Sequence, residues 1–70
     1  MNRADERRLQ LIRWMRERPG HDGLRTSTIV DVSGIYTGNG RYDRCLTDLK
    51  ALAARGVLER RGRPASWWTR

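Results

Sequence analysis

Cysteine and histidine are almost absent from this sequence. It contains one of each, Cys45 and His21, in 70 residues. A single cysteine excludes an internal disulfide and suggests a reducing compartment, and the two residues together cannot supply the four ligands of a structural zinc site. Cys45 falls on the apolar stripe of a predicted helix, which favours inert packing over nucleophilic chemistry. His21 falls in a Gly/Pro-rich loop, where we expect it to be solvated.

Long apolar runs and nucleotide-binding motifs are also lacking. No segment is long and apolar enough to span a membrane, and the first residues are charged, unlike a signal peptide. Gly38-Asn39-Gly40 lacks the third glycine and the preceding strand of a dinucleotide fingerprint, and there is no Gly-Lys-Ser/Thr phosphate loop. We therefore expect no enzyme, metal, cofactor or small-molecule effector. The expected location is the cytoplasm, associated with the nucleoid or, if a phage encodes the chain, in its host.

Positive charge is what the sequence has in excess. Lysine and arginine number 15 against 8 aspartate and glutamate, which gives a formal net charge of +7. A small domain this basic is expected to bind a polyanion, nucleic acid first and an anionic membrane surface second. All of the cations except Lys50 are arginine, which suits bidentate contacts to phosphate and guanine. GC-rich codon usage explains the arginine bias equally well, but it does not explain the net charge.

The first half of the chain predicts two helices. Apolar residues at three-residue spacing (Leu9, Ile12 and Met15) indicate a helix over residues 3–18, which Pro19-Gly20 ends. Residues 19–24 form a loop. A cluster of good N-caps then starts a short helix over residues 27–33, with a glycine at its exit, although its β-branched residues would also suit a strand.

The second half predicts a longer helix and a hairpin. Residues 34–40 are turn material, and a helix follows over residues 41–55. Two short strands around an Arg-Gly-Arg-Pro-Ala turn form a hairpin over residues 57–69, in which adjacent Trp67 and Trp68 cannot both face the core. The apolar stripe of the longer helix has helical spacing and centres on Leu49. Its members are Tyr42, Cys45, Leu46, Leu49 and Leu52.

This order of elements resembles the winged helix-turn-helix family of bacterial and phage DNA-binding regulators. The resemblance is sharpest over residues 46–68, where a Leu-rich helix ends at Arg-Gly and leads into the hairpin, the wing of that family. It implies a mainly α domain with a small β-hairpin, a three-helix winged helix-turn-helix. The turn with Gly34, Gly38 and Gly40 is longer than usual, and the helices that many such regulators use to dimerise are not predicted.

The resemblance implies that the helix over residues 41–55 enters the major groove of double-stranded DNA. Helical geometry turns Arg44, Thr47, Asp48, Ala51 and Arg55 away from the apolar stripe. Because base edges are read by the first turns of such a helix, the candidate base readers are Asn39, Arg41, Arg44 and Thr47. The structural alternative is a solvated face with an Arg44–Asp48 pair.

Two further places are candidates for contacts to the DNA backbone. Arg61 and Arg63 on the wing turn can reach the minor groove or flanking phosphates. Thr26 and Ser27, with the free N–H groups of the short helix, form a phosphate site, although the same hydroxyls could simply cap the helix. Most arginines of the first helix are expected to be a solvated face.

Four functions stay open from the sequence. The first is a sequence-specific transcriptional regulator, and the second is an architectural factor such as a phage excisionase-like protein that bends DNA. A winged helix that binds protein is the third, and an RNA-binding domain is the fourth. We also expect weak self-association, mainly on DNA, through a secondary contact of Leu11 and Trp14, unless the wing tryptophans cover those residues within one chain.

Overall fold

A computed structural model describes residues 2–70 as three helices and a three-stranded antiparallel sheet. The predicted order of three helices followed by a hairpin is confirmed. No helix within residues 2–70 has the length and apolar character needed to cross a membrane. The helices are α1 (Arg3–Glu17), α2 (Thr26–Ser33) and α3 (Arg41–Ala54), and the strands are β1 (Leu24–Arg25), β2 (Leu58–Arg61) and β3 (Ser66–Thr69).

The strand β1 begins at Leu24, the last residue of the loop predicted over residues 19–24. A 3₁₀ turn at Pro19–His21 precedes it, and its two residues pair antiparallel with β3, Leu24 opposite Trp67. On its other edge β3 pairs with β2, where Leu58 lies opposite Thr69. The sheet order is therefore β1-β3-β2, with the last strand of the chain in the centre. A strand of two residues is too short to show an alternating pattern in the sequence.

The core receives side chains from all three helices and from the hairpin. Trp67 is the largest of them and is 1% exposed, whereas Trp68 is only half-buried, so the predicted alternation of the two tryptophans is confirmed. Leu49, expected at the centre of the α3 stripe, is fully buried. The buried hydrophobic residues are Leu11, Met15, Ile29, Val30, Tyr36, Cys45, Leu49, Leu52, Leu58 and Trp67.

The buried face of α1 differs from the predicted stripe. Leu11 is fully buried beside Met15, while Leu9 and Ile12 are only half-buried. The prediction of Leu11 as a secondary surface residue is therefore wrong. The helix is turned because Arg7, one turn before Leu11, points inward to a carboxylate on α3, and the residues that follow it on the same face enter the core.

The buried face of α3 is also turned, by less than one residue position. Asp48, predicted to face solvent, is 0% exposed, and Tyr42, predicted to face the core, is 48% exposed. Burial of a carboxylate is tolerated here because Arg7, Arg8 and Tyr36 all donate to it. The alternative Arg44–Asp48 pair does not form.

His21 is packed rather than solvated, which corrects the prediction made for it. Its ring stacks on the indole of Trp14, with centroids 3.9 Å apart and planes inclined by 12°. Its Nδ1 lies 2.7 Å from the carbonyl oxygen of Trp14. The contact fastens the 3₁₀ turn to the end of α1 and covers one face of the Trp14 ring.

Candidate nucleic-acid interface

A concave surface lies between the start of α2, one side of α3 and the β2–β3 turn. We call it the basic groove. Three cations line it, and no carboxylate does. Its lining residues are Arg25, Thr26, Ser27, Tyr42, Leu46, Lys50, Arg60, Pro64 and Ala65.

The three cations come from three different elements. Arg25 ends β1, Lys50 lies in the middle of α3, and Arg60 lies on β2, and all three are exposed. Within residues 2–70 none of the three has a carboxylate oxygen within 4.0 Å. Their positive charge is therefore directed at the groove without an internal partner, and it raises the local concentration of anions there.

Strand alternation places Arg60 over the groove. Arg60 lies on the same sheet face as Leu58, which is a core residue, and opposite Trp67 in the register. Its guanidinium carbon is 5.9 Å from the centre of the Trp67 ring. Because the core ends at this point of the sheet, the arginine stem covers the tryptophan and its charged end lies in the groove.

The exposed face of α3 borders the basic groove. Asp43, Thr47, Lys50 and Ala54 are exposed and follow one another at helical spacing, opposite the buried stripe. Thr47 was predicted from the sequence. Asp43 and Lys50 were not predicted as site residues. Counting Tyr42 in the apolar stripe turned the predicted outer face of α3 away from them. The corrected orientation makes Asp43 and Thr47 the side chains that a partner along α3 would meet first.

The start of α2 separates Thr26 from Ser27. Thr26 is 5% exposed, and its hydroxyl accepts a hydrogen bond of 2.9 Å from the Trp67 indole Nε1. The Thr26 side chain is therefore mostly buried and engaged within the chain, and its predicted phosphate contact stays a prediction. Ser27 is exposed in the groove, and no side chain caps the helix at this end. The first N–H groups of α2 therefore stay available beside Ser27.

Arg44 fastens the turn that precedes α3. Its guanidinium donates to the carbonyl oxygen of Asn39 at 2.7 Å and also to that of Thr37. Two of its donors are therefore used within the chain, which does not fit a residue that reads bases. Gly40, the N-cap of α3, has a φ of +74°, a conformation that favours glycine and lets the turn close over this arginine.

The hairpin arginines lie on different sides of the sheet. Arg61 stacks over Trp68, 4.7 Å from the ring centre, and pairs with Glu59 at 2.8 Å, which holds the pKa of that carboxyl below its usual value. This places Arg61 on the face of the sheet opposite the basic groove, and its predicted DNA contact stays a prediction. Arg63 is exposed in the turn, next to the groove residue Pro64.

The remaining predicted residues, Asn39 and Arg41, are exposed at the start of α3. Arg41 lines a separate depression that also contains Asp31 of α2. Both lie outside the basic groove, at the end of α3 where the chain enters the helix. They can meet a partner that runs along α3 but not one confined to the groove.

A buried polar cluster behind α3 holds this surface in place. The Asp48 carboxylate accepts from Arg7 Nε at 2.5 Å, from Arg8 Nε at 2.9 Å and from the Tyr36 hydroxyl at 2.7 Å. Burial alone would raise the pKa of Asp48, but these hydrogen bonds outweigh it and lower the pKa. Burial, together with the nearby Asp48 charge, raises the pKa of the Cys45 thiol to about 12, so this cysteine is an inert core residue.

Residues 2–70 contain no group of three or more His, Cys, Asp or Glu side chains placed to hold a metal ion. No family model matches the chain, and neither a curated protein nor a solved structure matches it significantly. The role of the chain is therefore inferred from the geometry and charge of the basic groove.

Proposed function

We propose that this chain is a winged helix-turn-helix domain that binds double-stranded DNA. The observation that carries the proposal is the basic groove, in which Arg25, Lys50 and Arg60 converge from three elements with no carboxylate among the lining residues. A phosphodiester backbone is a polyanion that fits such a concave, cationic surface. Regulation of transcription through site-specific binding is the biological role that we propose for it.

The exposed face of α3 suits the major groove of B-DNA. That groove admits one α-helix, and α3 presents an exposed face on which Asp43, Thr47 and Lys50 follow one another, with Lys50 also lining the basic groove. With α3 in the major groove, the backbone beside it runs through the basic groove. The free N–H groups at the start of α2 and the hydroxyl of Ser27 then face a phosphate, which the helix dipole favours.

Asp43 and Thr47 are the side chains that we propose as base readers. A carboxylate repels phosphate but accepts a hydrogen bond from the amino group of cytosine, and a threonine methyl contacts the methyl group of thymine. Lys50, deeper along the helix and in the basic groove, contacts phosphate. Arg63 on the hairpin turn reaches the neighbouring backbone or the minor groove.

Binding to a pool of random duplexes at several salt concentrations tests the proposal. The logarithm of the binding constant should fall steeply with the logarithm of salt concentration, by about 0.9 for each phosphate contact. Lys50→Ala and Arg60→Ala should each weaken binding to all sequences and reduce that slope by about one contact. Arg18→Ala removes the same charge from an exposed position outside the basic groove and is the matched control.

Two results would contradict the proposal. One is the absence of duplex binding at low salt. The other is an equal loss of affinity in Arg18→Ala and in the two groove variants, which would mean that net charge alone, and not the basic groove, attracts DNA. Sequencing of the retained duplexes gives the preferred site. The same selection with Asp43→Ala and Thr47→Ala then shows whether the first variant loses a preference for cytosine and the second a preference for thymine.

A further inference from the structure

One side of α1, next to its buried face, carries a four-residue stripe that does not line the basic groove. Asp5, Leu9, Ile12 and Arg16 follow one another at spacings of four, three and four, so they lie along one line of the helix. We call this line the α1 seam. Leu9 and Ile12 are half-buried and together line two adjoining surface depressions. Arg16 at its end is exposed.

The α1 seam is complementary to itself when reversed. It has an acid at one end, two aliphatic residues in the centre and a base at the other end. We propose that a second copy of this chain docks on the seam, with its α1 antiparallel. Asp5 of one chain then faces Arg16 of the other, and Leu9 faces Ile12, in a two-fold contact that repeats on both sides of the axis.

The two charges at the ends of the seam do not pair with each other within one chain. Asp5 and Arg16 are about 16 Å apart along the helix, given a rise of 1.5 Å per residue. Among the described residues neither has an ion-pair partner within 4.0 Å. A parallel arrangement would bring each charge against its own copy, so only the antiparallel one pairs opposite signs.

The flanking residues support the same arrangement. Glu6 and Arg13 are exposed on the side of the seam that faces away from the core. Reversal brings Glu6 of one chain to the same side and nearly the same height as Arg13 of the other, so a second set of opposite charges meets. A uniformly acidic partner helix would instead be repelled by Asp5 and Glu6. The sign pattern therefore favours a second copy over such a partner.

The contact is expected to be weak without DNA. About three helical turns per chain bury less surface than the roughly 1,000 Å² of a stable interface, and two chains of charge +7 repel each other. No seam residue lines the basic groove, so dimerisation leaves the proposed DNA surface free. Two adjacent sites on one duplex would raise the effective concentration of the seams and promote the contact.

This pairing differs from the sequence prediction, which placed the self-association contact at Leu11 and Trp14. Leu11 is fully buried, and one face of Trp14 is covered by His21, so these two residues do not form a common exposed surface. Leu9, Ile12 and Trp14 remain partly accessible on α1, and of these Leu9 and Ile12 lie on the α1 seam.

Charge reversal at the two ends of the seam tests the proposal in the absence of DNA. Asp5→Arg and Arg16→Asp, each alone, should raise the dimer dissociation constant about tenfold or more, because two attractive pairs become repulsive. The double variant restores opposite signs across the two-fold axis and should regain the parent value. An equimolar mixture of the two single variants should form a heterodimer more readily than either forms a homodimer.

The double variant separates association from helix stability. Each single change opposes the helix dipole, and these penalties add in the double variant, so a recovery of association cannot come from a more stable helix. Asp31→Arg and Arg18→Asp make the same charge changes at exposed positions off the seam and should leave association near the parent value. Sedimentation equilibrium up to millimolar protein gives the constants. A monomeric parent over this range, or a double variant no tighter than the single ones, would overturn the proposal.

Discussion

The Trp67 indole donates to the Thr26 hydroxyl at 2.9 Å and so joins the hairpin to the first turn of α2. Both residues are buried, and they lie 41 positions apart in the chain. The hydrogen bond connects two of the three walls of the basic groove. The position of the groove cations relative to one another therefore depends on a contact inside the core.

Thr26→Val should destabilise the fold by about 1–3 kcal/mol. Valine keeps the shape of threonine but leaves the buried indole N–H of Trp67 without an acceptor. Thr26→Ser keeps the acceptor and is the control, with a smaller loss that reflects one missing methyl group. Urea unfolding measures both. An equal stability of the valine and serine variants would show that the hydrogen bond contributes nothing.

Gly23→Ala should destabilise the chain, whereas Gly20→Ala should be close to neutral. A Cβ on Gly23 would lie 2.6 Å from two ring carbons of Trp68, and Gly23 has a φ of +75°. The Trp68 ring cannot move away easily, because its Nε1 donates to Ser66 and Arg61 covers it. We expect a cost of about 1–3 kcal/mol, from strain at positive φ and from overpacking.

Gly20 is the matched control for this change. A Cβ there meets nothing within 4 Å, and its φ is not positive. Thermal unfolding of the two alanine variants compares them directly. Equal midpoints would mean that Trp68 does not pack over Gly23 in solution.

Asp48→Asn should make stability less sensitive to acid. The pKa of Asp48 is lowered on folding, so its charge contributes stability that is fully present above about pH 4, the unfolded-state value. That contribution is lost as the pH falls through the lower folded-state pKa. At neutral pH the variant should be less stable by about 2–3 kcal/mol, because hydrogen bonds from Arg7 and Arg8 to a charged acceptor are lost.

The measurement is the free energy of unfolding as a function of pH from neutral to strongly acidic. Asp31→Asn, at an exposed position, serves as the control for loss of one negative charge. The parent and the control should lose stability more steeply than Asp48→Asn at the acid end. Parallel curves for all three would show that Asp48 is not the group that titrates with folding.

Arg44→Ala and Thr47→Ala should affect DNA binding in different ways. Arg44 donates to the carbonyl oxygens of Thr37 and Asn39, so its loss loosens the turn before α3 and should weaken binding to every duplex alike. Thr47 is exposed on α3, and its loss should change the preferred base at one position, at a cost of about 1–3 kcal/mol on the best site. Binding of each variant to a pool of duplexes, followed by sequencing, distinguishes them. A changed base preference in Arg44→Ala would return that residue to the DNA contacts.

The order of the elements was predictable, because helical periodicity and Gly/Pro breaks are local signals. The orientation of α3 was not. Asp48 is polar, and nothing near it in the sequence announces that Arg7, Arg8 and Tyr36 will surround it. From the sequence alone, a helix is oriented by its apolar residues. Tyr42 was therefore placed in the predicted core, and Asp48 was not.

Only part of the candidate site was predictable, because local patterns reveal some of its residues and long-range strand pairing reveals the others. The positive charge and the exposed Thr47 follow from composition and helical spacing. Arg25 and Arg60 became site residues only through the sheet, since the pairing of β1 with β3 and the strand alternation of β2 direct them to one groove. The same two-residue alternation places Arg61 on the opposite face of the sheet, away from the basic groove.

The central position of β3 determines how the sheet can move. Because β1 and β2 pair with β3 and not with each other, and because Trp67 anchors β3 in the core, neither edge can part from the centre without exposing that anchor. The hydrogen-bonded amide protons of the β1–β3 and β2–β3 ladders should therefore exchange with deuterium through one shared opening, close in free energy to global unfolding. The hairpin is therefore not expected to move independently of the core. A duplex would meet a preformed surface, and its binding would carry little entropic penalty for ordering the protein.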